Sequence, residues 1–374
     1  MSLTGVPLLV LLGVLALAAP LGVWAVWPHL RGTRAVRAAG RIGLVLAPQL
    51  VAVGFVAGAV NDYGAFYTTW GDLLGVTPAH VGTVRGYGAP ASSGIDPAHA
   101  RIHGYPTTSW STPARWPTSG AVVSLLLAGA RTGIAEPALV YLPPAYFAAH
   151  NGPARLPIVE TFTGFPGQPT NLLTRLHYPR FLLAGIRAGQ VQQMALVMMR
   201  PTVGFPRDTE CLDIAHGPRS LTYFAQDVPA AVANALGLEV TAAAAIGDSS
   251  GGYCALHLAM THPRAFRAAA SLSGYYRPVP DASTGDLFAG SSSAREQADL
   301  EWRLRHLPVP PISVLVATSP SESGYEGYAA AQHFLGLVRA PMSAQEVVVA
   351  HGGHNFDTWS LEIPRALAFL SRNL

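Results

Sequence analysis

Residues 242–256 read Ala-Ala-Ala-Ala-Ile-Gly-Asp-Ser-Ser-Gly-Gly-Tyr-Cys-Ala-Leu, a segment that indicates an α/β fold. It holds a G-x-S-x-G motif, residues 247–251, between a short apolar run and a helix-like run. A nucleophile elbow needs this context, because its serine lies on the sharp turn between a buried strand and a helix. A bare G-x-S-x-G also arises by chance in a chain with 38 glycines. Its position between a strand and a helix predicts that Ser249 is a nucleophile.

A similar string, Gly-Asp-Ser-Gly-Gly, marks trypsin-like proteases, and this chain carries one extra serine inside it. Those enzymes place the catalytic histidine and aspartate before the serine, on an all-β fold. Here the best histidine candidate follows the serine, and the surroundings alternate between strand and helix. The pattern therefore argues against a protease of that kind.

Composition narrows the classes of function. The chain has 374 residues, enough for one large α/β domain with accessory segments. Its net charge is only +3, all 24 basic residues are arginine, and no basic tract indicates a nucleic-acid partner. The sequence shows no phosphate-binding glycine loop, nucleotide fingerprint or zinc-ligand spacing, so no cofactor is predicted. A mean hydropathy of +0.29 is apolar for a soluble enzyme.

The apolar excess comes from the N-terminus. Residues 6–27 and 42–60 are uncharged runs, the second interrupted only at 48–49, and each can cross a hydrocarbon core of about 30 Å. Four arginines between them, at 31–41, predict a cytoplasmic loop with both ends of the hairpin outside. A cleaved signal peptide and a buried core helix are the alternatives for the two runs. We expect residues 1–60 to anchor the chain in the cell membrane, with the rest extracytoplasmic.

Two further regions follow the hairpin. Residues 61–118 are rich in Gly, Pro, Ser and Thr and predict a loop-rich connector. In residues 119–374 strands alternate with helices, which predicts an α/β domain with a mostly parallel sheet covered on both faces. The expected strands are 122–127 and 138–142, as an antiparallel pair, then 156–162, 191–199, 241–246, 268–273, 312–317 and 346–350. The expected helices, besides the elbow helix, are 171–188, 221–236, 327–338 and 361–372.

A nucleophilic serine needs a base, and thirteen histidines compete for that role. His354 lies in the run His351-Gly-Gly-His354, directly after the last predicted strand. Open α/β sheets place their sites at the carboxyl ends of strands, and the glycines allow close approach to the elbow. We therefore expect His354 to be the base and His351 to be a neighbour.

The acid that orients the base is expected after the strand at 312–317. This segment offers Glu322 and Glu326, and Glu322 is closer to the end of the strand. Glu322 is the preferred acid, Glu326 is the alternative, and Asp357 is a third candidate close to the base.

Acyl transfer also needs donors for the oxyanion. One is expected to be the backbone N–H of Ser250, directly after the nucleophile. The second is expected from the glycine-rich loop 163–167 after the strand at 156–162, where position favours the N–H of Phe165. An ordinary Gly/Pro turn is the alternative interpretation of this loop.

The chain has two cysteines, Cys211 and Cys254. An extracytoplasmic location and a count of two favour a disulfide over a metal site, with buried free thiols as the alternative. Three acids at 208–213 could in principle bind Ca²⁺. A loop braced by the disulfide explains them equally well, and no metal is predicted.

Five segments together carry a resemblance: Val-Tyr-Leu-Pro-Pro-Ala-Tyr-Phe, Gly-Phe-Pro-Gly, Asp-Thr-Glu-Cys, Gly-Asp-Ser-Ser-Gly-Gly-Tyr-Cys and Gly-Gly-His-Asn-Phe, starting at residues 140, 164, 208, 247 and 352. They resemble the actinobacterial putative-esterase family, related to esterase D and the antigen 85 mycolyltransferases. The resemblance covers about residues 119–374 and implies the α/β-hydrolase fold. It also implies that Ser249 is the nucleophile, His354 the base, and Glu322, or less closely Glu326, the acid. The family commonly has His-Gly where this chain has Thr163-Gly164, which leaves the backbone donor intact.

The resemblance implies a serine esterase that acts on a small-molecule or lipid ester through an acyl-enzyme. An envelope acyltransferase that moves the acyl chain to a sugar or glycolipid hydroxyl is the first alternative, since the triad does not choose the acceptor. A non-catalytic envelope or binding protein on the same scaffold is the second. The elbow and the position of His354 argue against it.

Overall fold

The computed structural model describes residues 6–64, 100–102, 115–148, 153–322, 324–350 and 353–374. Two compact units divide the chain, Met1–Pro78 and Ala79–Leu374. We call them the N-terminal unit and the C-terminal unit. Most of the predicted connector and His351 lie outside the described residues.

The N-terminal unit consists of two apolar helices, α1 (Val6–Val26) and α2 (Arg34–Gly64), joined through a 3₁₀ turn, Trp27–His29. Small residues lie where the helices meet, because Gly13 faces the ring of Phe55 and Gly58 faces leucines of α1. Both helices are long and apolar enough to cross a membrane.

Most of the arginine-rich segment at 31–41, which was predicted to be a loop, is helical. Arg34, Arg37 and Arg41 are on the first two turns of α2, and only Arg31 lies in the connection. The intervening alanines are strong helix formers, and the Thr33 hydroxyl accepts a hydrogen bond from the Val36 N–H at 3.4 Å. The helix therefore starts before the apolar run does.

The C-terminal unit is built on one mostly parallel sheet, as predicted. Its strands are β1 (Ala100–Ile102), β2 (Ala121–Ala128), β3 (Ala135–Leu142), β4 (Ala154–Phe162), β5 (Ala195–Met199), β6 (Leu238–Asp248), β7 (Phe266–Leu272), β8 (Ser313–Thr318) and β9 (Ser343–Val348). Their order across the sheet is β1-β2-β3-β5-β4-β6-β7-β8-β9. Strands β4 to β9 run parallel, and β1, β2 and β3 add an antiparallel end.

Helices cover both faces of this sheet. They are α3 (Trp116–Ser119), α4 (Pro144–Ala148), α5 (Pro169–Thr174), α6 (Tyr178–Arg187), α7 (Ser220–Thr222), α8 (Val228–Leu236), α9 (Ser250–Thr261), α10 (Ser292–Ala298), α11 (Leu300–His306), α12 (Tyr328–Leu337) and α13 (Phe356–Asn373). Helix α9 packs on β4, β6 and β7, whereas α13 packs on β7, β8 and α6. Every residue of β5 is buried, as expected for a strand between two helical layers.

Two predicted helices are each interrupted. The helix expected at 171–188 is divided into α5 and α6, with His177 at a positive φ of 49° between them. The helix expected at 221–236 contains a π-helical turn, Tyr223–Asp227, between α7 and α8. Pro179 and Pro229 lie in the first turns of α6 and α8, where proline is tolerated because these N–H groups have no intrahelical partner.

Five further elements differ from the prediction. Strand β1 lies within the segment expected to be a loop-rich connector, and pairs with β2 through residues 123–125. Helices α3, α4, α10 and α11 were not predicted. All five are short, with three to seven residues, so none provides enough positions for a hydrophobic period to be recognised.

Candidate active site

Ser249 lies on a strained turn between β6 and α9. Its backbone has φ 53° and ψ −123°, a conformation that costs energy in a residue with a Cβ and is often found at functional sites. The Ser249 N–H donates to the Leu272 carbonyl at the end of β7, at 2.9 Å. A Cβ on Gly247 would lie 2.4 Å from the backbone of Gly251, so the turn cannot close with a larger residue at this position.

His354 lies between β9 and α13 and faces the elbow. Its Nε2 is 2.9 Å from Ser249 Oγ, within hydrogen-bonding distance. The ring stands edge-on to Trp359, with 5.0 Å between the ring centroids. Burial lowers the pKa of His354 to about 4, so the imidazole is neutral near pH 7. A neutral imidazole at this distance can accept the hydroxyl proton.

Glu322 follows β8 and lies on the far side of His354. Its Oε1 is 3.8 Å from His354 Nδ1, and its side chain is only 2% exposed. The other oxygen, Oε2, accepts from the Thr318 hydroxyl and the Ser319 N–H, both at 3.3 Å. Burial raises the pKa of Glu322, and these hydrogen bonds oppose the rise. Catalytic hydrogen bonds are often long in ligand-free structures, so this distance suits an orienting acid.

Among the other candidates for acid and base, only the side chain of Asp357 lies within the described residues. Asp357 is exposed on the first turn of α13. Glu326 ends a 3₁₀ turn, Gly324–Glu326, and its side chain lies outside the described residues, as does His351.

The loop 163–167 lies directly on the elbow. The Gly164 N–H donates to Asp248 Oδ2 at 2.8 Å, and the Phe165 N–H donates to the Ser250 hydroxyl at 2.7 Å. A Cβ on Gly164 would lie 3.0 Å from the Ser249 Cβ, so the close approach favours glycine. The predicted donor Phe165 is therefore adjacent to the nucleophile, but its N–H is bonded to a side chain.

The second predicted donor, the Ser250 N–H, belongs to the first residue of α9. The first four N–H groups of a helix have no intrahelical acceptor, so such a group is suited to bind an anion. Sequence reasoning did not identify the side chains of Asp248 and Ser250 as contacts of the loop. The sequence did offer one indication of these contacts, because both variable positions of the G-x-S-x-G motif are polar.

The Cys211–Cys254 disulfide is formed, as predicted, and links the segment before α7 to the elbow helix α9. Cys254 is five residues beyond Ser249. The bridge therefore ties the segment around Cys211 to the helix that begins with Ser250, whose N–H is the predicted oxyanion donor.

The acids at 208–213 have separate partners. Glu210 accepts from the Tyr275 hydroxyl and the Val279 N–H, while Asp208 accepts from the Glu210 N–H. Asp213 accepts from the N–H and hydroxyl of Thr222. Among the described residues, no group of three His, Cys, Asp or Glu could hold a metal ion. The acids thus stabilise their own loop.

Two buried carboxyl groups near the site were not predicted. Asp248 and Glu362 are both fully buried. Burial raises the pKa of Asp248 to about 7, and burial together with the charges of Glu322 and Asp248 raises the pKa of Glu362 well above its usual range. The interior beside the triad therefore disfavours additional negative charge.

The sequence profile of the family described as "Putative esterase" matches residues 130–370, more than half of the chain. The chain belongs to this family. Membership confirms the resemblance found in the motifs and classes the protein as a serine ester hydrolase or a related acyltransferase.

The individual relatives are more distant. The MPT51 antigen of Mycobacterium leprae (strain TN) is 41% identical over 69 residues, which is 18% of this chain and 23% of that protein. An S-formylglutathione hydrolase from Agrobacterium tumefaciens has a TM-score of 0.59 at 15% identity, over 69% of this chain and 96% of that one. FphF, a fluorophosphonate-binding serine hydrolase of Staphylococcus aureus, has a TM-score of 0.53 at 18% identity, over 67% and 98%. These structures show that the C-terminal unit has the α/β-hydrolase fold.

Proposed function

We propose that this protein is a membrane-anchored serine esterase that cleaves carboxylic esters through an acyl-enzyme. The observation that carries the proposal is the 2.9 Å separation of His354 Nε2 and Ser249 Oγ at a strained elbow. A serine hydroxyl is a weak nucleophile until a base takes its proton. The neutral, buried imidazole of His354 supplies that base, and Glu322 is close enough to stabilise the imidazolium that forms.

The reaction has two acyl-transfer steps. His354 takes the proton from Ser249 Oγ as the oxygen attacks the ester carbonyl, and the negative charge develops on the carbonyl oxygen beside Ser250 and Phe165. His354 then gives the proton to the leaving alcohol, and the C–O bond of the ester breaks. Water, deprotonated by the same imidazole, attacks the acyl-enzyme and releases the acid. The same triad would pass the acyl group to a sugar hydroxyl if that hydroxyl replaced water.

Aromatic side chains in and beside the loop 163–167, which we call the oxyanion loop, support an acylated or lipid substrate. Phe165 is half-buried, Phe205 is 39% exposed, and their ring centroids lie 6.2 Å apart. The guanidinium of Arg200 stacks 4.4 Å from the centroid of the Phe205 ring. This surface can contact an apolar acyl chain and, through Arg200, a polar group of the ester.

The N-terminal unit supports the proposed anchor. Leu17, Trp24 and Leu50 are each at least 70% exposed, so the helices present apolar side chains outward. The guanidinium of Arg41 lies 5.3 Å from the Trp27 ring centroid, a pair suited to the boundary between lipid and water. Positive charge between the spans favours a cytoplasmic turn, which places the chain after α2 outside the membrane. A cleaved signal sequence would account for one apolar helix but not for the second.

The test uses the full-length protein in detergent micelles with p-nitrophenyl esters of increasing acyl length. We expect a burst of p-nitrophenol followed by steady turnover in water, and no turnover by Ser249→Ala. Adding trehalose tests the acyltransferase alternative, because acyl-trehalose formed in place of free acid would favour a transferase. A folded wild-type protein that releases no p-nitrophenol from any ester, with or without the sugar, would support a non-catalytic role.

A further inference from the structure

Both variable residues of the elbow motif bind the oxyanion loop through their side chains. Asp248 accepts from the Gly164 N–H and Ser250 accepts from the next N–H, that of Phe165. Both residues are buried: Asp248 is fully buried, and only 6% of the surface of Ser250 is exposed. Two successive amides of the loop are thus held by the residues on either side of the nucleophile.

This arrangement fixes the direction of the Phe165 N–H. The bond from Gly164 to Asp248 holds the loop on one side, and the 2.7 Å bond from the Gly167 N–H to the Gly164 carbonyl closes its turn. The Gly164 backbone also lies against Ser249, where even a Cβ would be only 3.0 Å from the serine Cβ. The Phe165 amide cannot turn toward a substrate oxygen without disturbing these contacts.

The Ser250 hydroxyl can still donate. A hydroxyl has one donor and two acceptor positions, and the bond from Phe165 uses one acceptor position. Within the part of the chain that the structure describes, the Ser250 hydroxyl donates no hydrogen bond to another protein group. The Ser250 hydroxyl is held 2.7 Å from the Phe165 N–H, the group predicted to be the second oxyanion donor, and the Ser250 backbone N–H directly follows Ser249.

We propose that the Ser250 hydroxyl is itself an oxyanion donor, oriented and polarised by the Phe165 N–H. The substrate oxyanion then accepts two bonds from one residue, from the hydroxyl and from the backbone N–H of Ser250. Accepting a bond from Phe165 strengthens the bond that the hydroxyl donates. No proton is transferred, and the inference rests on the ester cleavage proposed above.

A competing arrangement makes the opposite prediction. If Ser250 rotates away when substrate binds, the Phe165 N–H is released to the oxyanion and the hydroxyl only blocks it at rest. Removing the hydroxyl would then leave activity unchanged or raise it. The sign of the effect of Ser250→Ala therefore decides between the two.

The experiment compares oxoesters with matched thionoesters in full-length wild type and in Ser250→Ala. We expect kcat for the oxoester to fall about 10- to 1,000-fold in the variant, with little change in KM, as for removal of one oxyanion donor. The loss should be smaller for the thionoester, because sulfur is a weak hydrogen-bond acceptor. A purely structural loss would reduce both substrates equally.

Two further variants make the test decisive. Ser271→Ala removes a buried hydroxyl behind the elbow that bonds to no described residue, and should leave both rates unchanged. Ser250→Cys puts a weaker donor on a slightly larger side chain, and gives the same readout if the alanine variant is unstable. Wild-type rates in both Ser250 variants, or equal losses on both esters, would overturn the inference. Lack of ester turnover by the wild type would instead contradict the proposed function.

Discussion

Burial sets the charge of the side chains around Ser249. It keeps His354 neutral by lowering its pKa to about 4, and it raises the pKa values of Glu322 and Asp248. A base that is already neutral can accept the Ser249 proton without first losing its own. In the proposed reaction, the ionised form of His354 arises only after it takes the Ser249 proton, and Glu322 Oε1 lies 3.8 Å from its Nδ1.

The first prediction concerns the dependence of rate on pH. His354 acts as a base only when deprotonated, so activity is present above its pKa and is lost as pH falls through it. We expect kcat/KM for a neutral ester to stay flat from pH 6 to pH 8 and to halve near pH 4. A half-point near 6.5, the ordinary value for histidine, would contradict the buried imidazole.

The second prediction identifies the acid. Glu322→Gln should lower kcat on the order of ten-thousandfold, because the neutral amide no longer stabilises the imidazolium. Asp357→Asn, which changes an exposed carboxylate close to the same histidine in sequence, is the matched control and should keep wild-type activity. A large loss in Glu326→Gln, with Glu322→Gln unaffected, would assign the role to Glu326.

Some of these residues could be predicted from the sequence, and others could not. Ser249 was recognisable from a local motif, and His354 and Glu322 from the chain order in which strands end. The contacts of Asp248 and Ser250 were not, because each joins the elbow to a loop more than 80 residues earlier in the chain. Only the placement of β4 beside β6 brings these groups together.

At the scale of elements, the elbow joins three parts of the fold. Strand β6 enters it, α9 leaves it, and the loop after β4 lies across it. The disulfide attaches a fourth segment through Cys211. Regular parts of this arrangement, such as β2, β3 and the central parallel strands, were predictable from apolar runs. The breaks before Pro179 and near Pro229 were harder to locate. Proline is favoured in the first turn of a helix, but Pro364 lies inside α13, so a proline position does not by itself mark a helix end.

The third prediction concerns the disulfide. The bridge closes a loop of 43 residues, which in the chain-entropy model restricts the unfolded state by about 4 kcal/mol. The double variant Cys211→Ser/Cys254→Ser should be less stable by up to that amount in guanidinium unfolding. Reductant should destabilise the wild type and leave the double variant unchanged. A wild type insensitive to reductant under unfolding conditions would contradict the stabilising role of the bridge.

The fourth prediction concerns the contact between β6 and the oxyanion loop. The pKa of Asp248 is raised in the folded state to about 7, so its ionisation costs stability as pH rises from about 4 to 7. In the variant Asp248→Asn, the amide side chain does not ionise, and its oxygen can still accept from the Gly164 N–H. This variant should therefore become more stable relative to wild type between pH 5 and pH 8, by at least about 1 kcal/mol. A difference in unfolding free energy that is constant with pH would show that Asp248 does not titrate in this way.

At the scale of the whole molecule, two apolar helices precede an enzyme unit of the esterase family. The composition of α1 and α2 was evident in the sequence, whereas the start of α2 at Arg34 was not, because arginine is both a helix former and a charged residue. The proposed orientation depends on the charges of Arg31, Arg34, Arg37 and Arg41.

The fifth prediction tests that orientation. The purified membrane-bound chain should retain residues 1–60 by intact mass and should resist carbonate extraction. Protease added to the outside of spheroplasts should digest the C-terminal unit. Replacing the four arginines by glutamine should reduce that accessibility, and lysine replacements, which keep the charge, should preserve it. A mature chain cleaved after α1 would contradict the anchor.

The proposed function depends on Ser249 being an activated nucleophile. The most direct measurement is covalent labelling of the full-length protein by a fluorophosphonate probe, with the adduct located by peptide mass spectrometry. We expect one adduct per chain on Ser249, none on Ser249→Ala, and strongly slowed labelling of Glu322→Gln. A folded wild-type protein that does not react, or a Ser249→Ala variant that labels as fast as the wild type, would contradict the account.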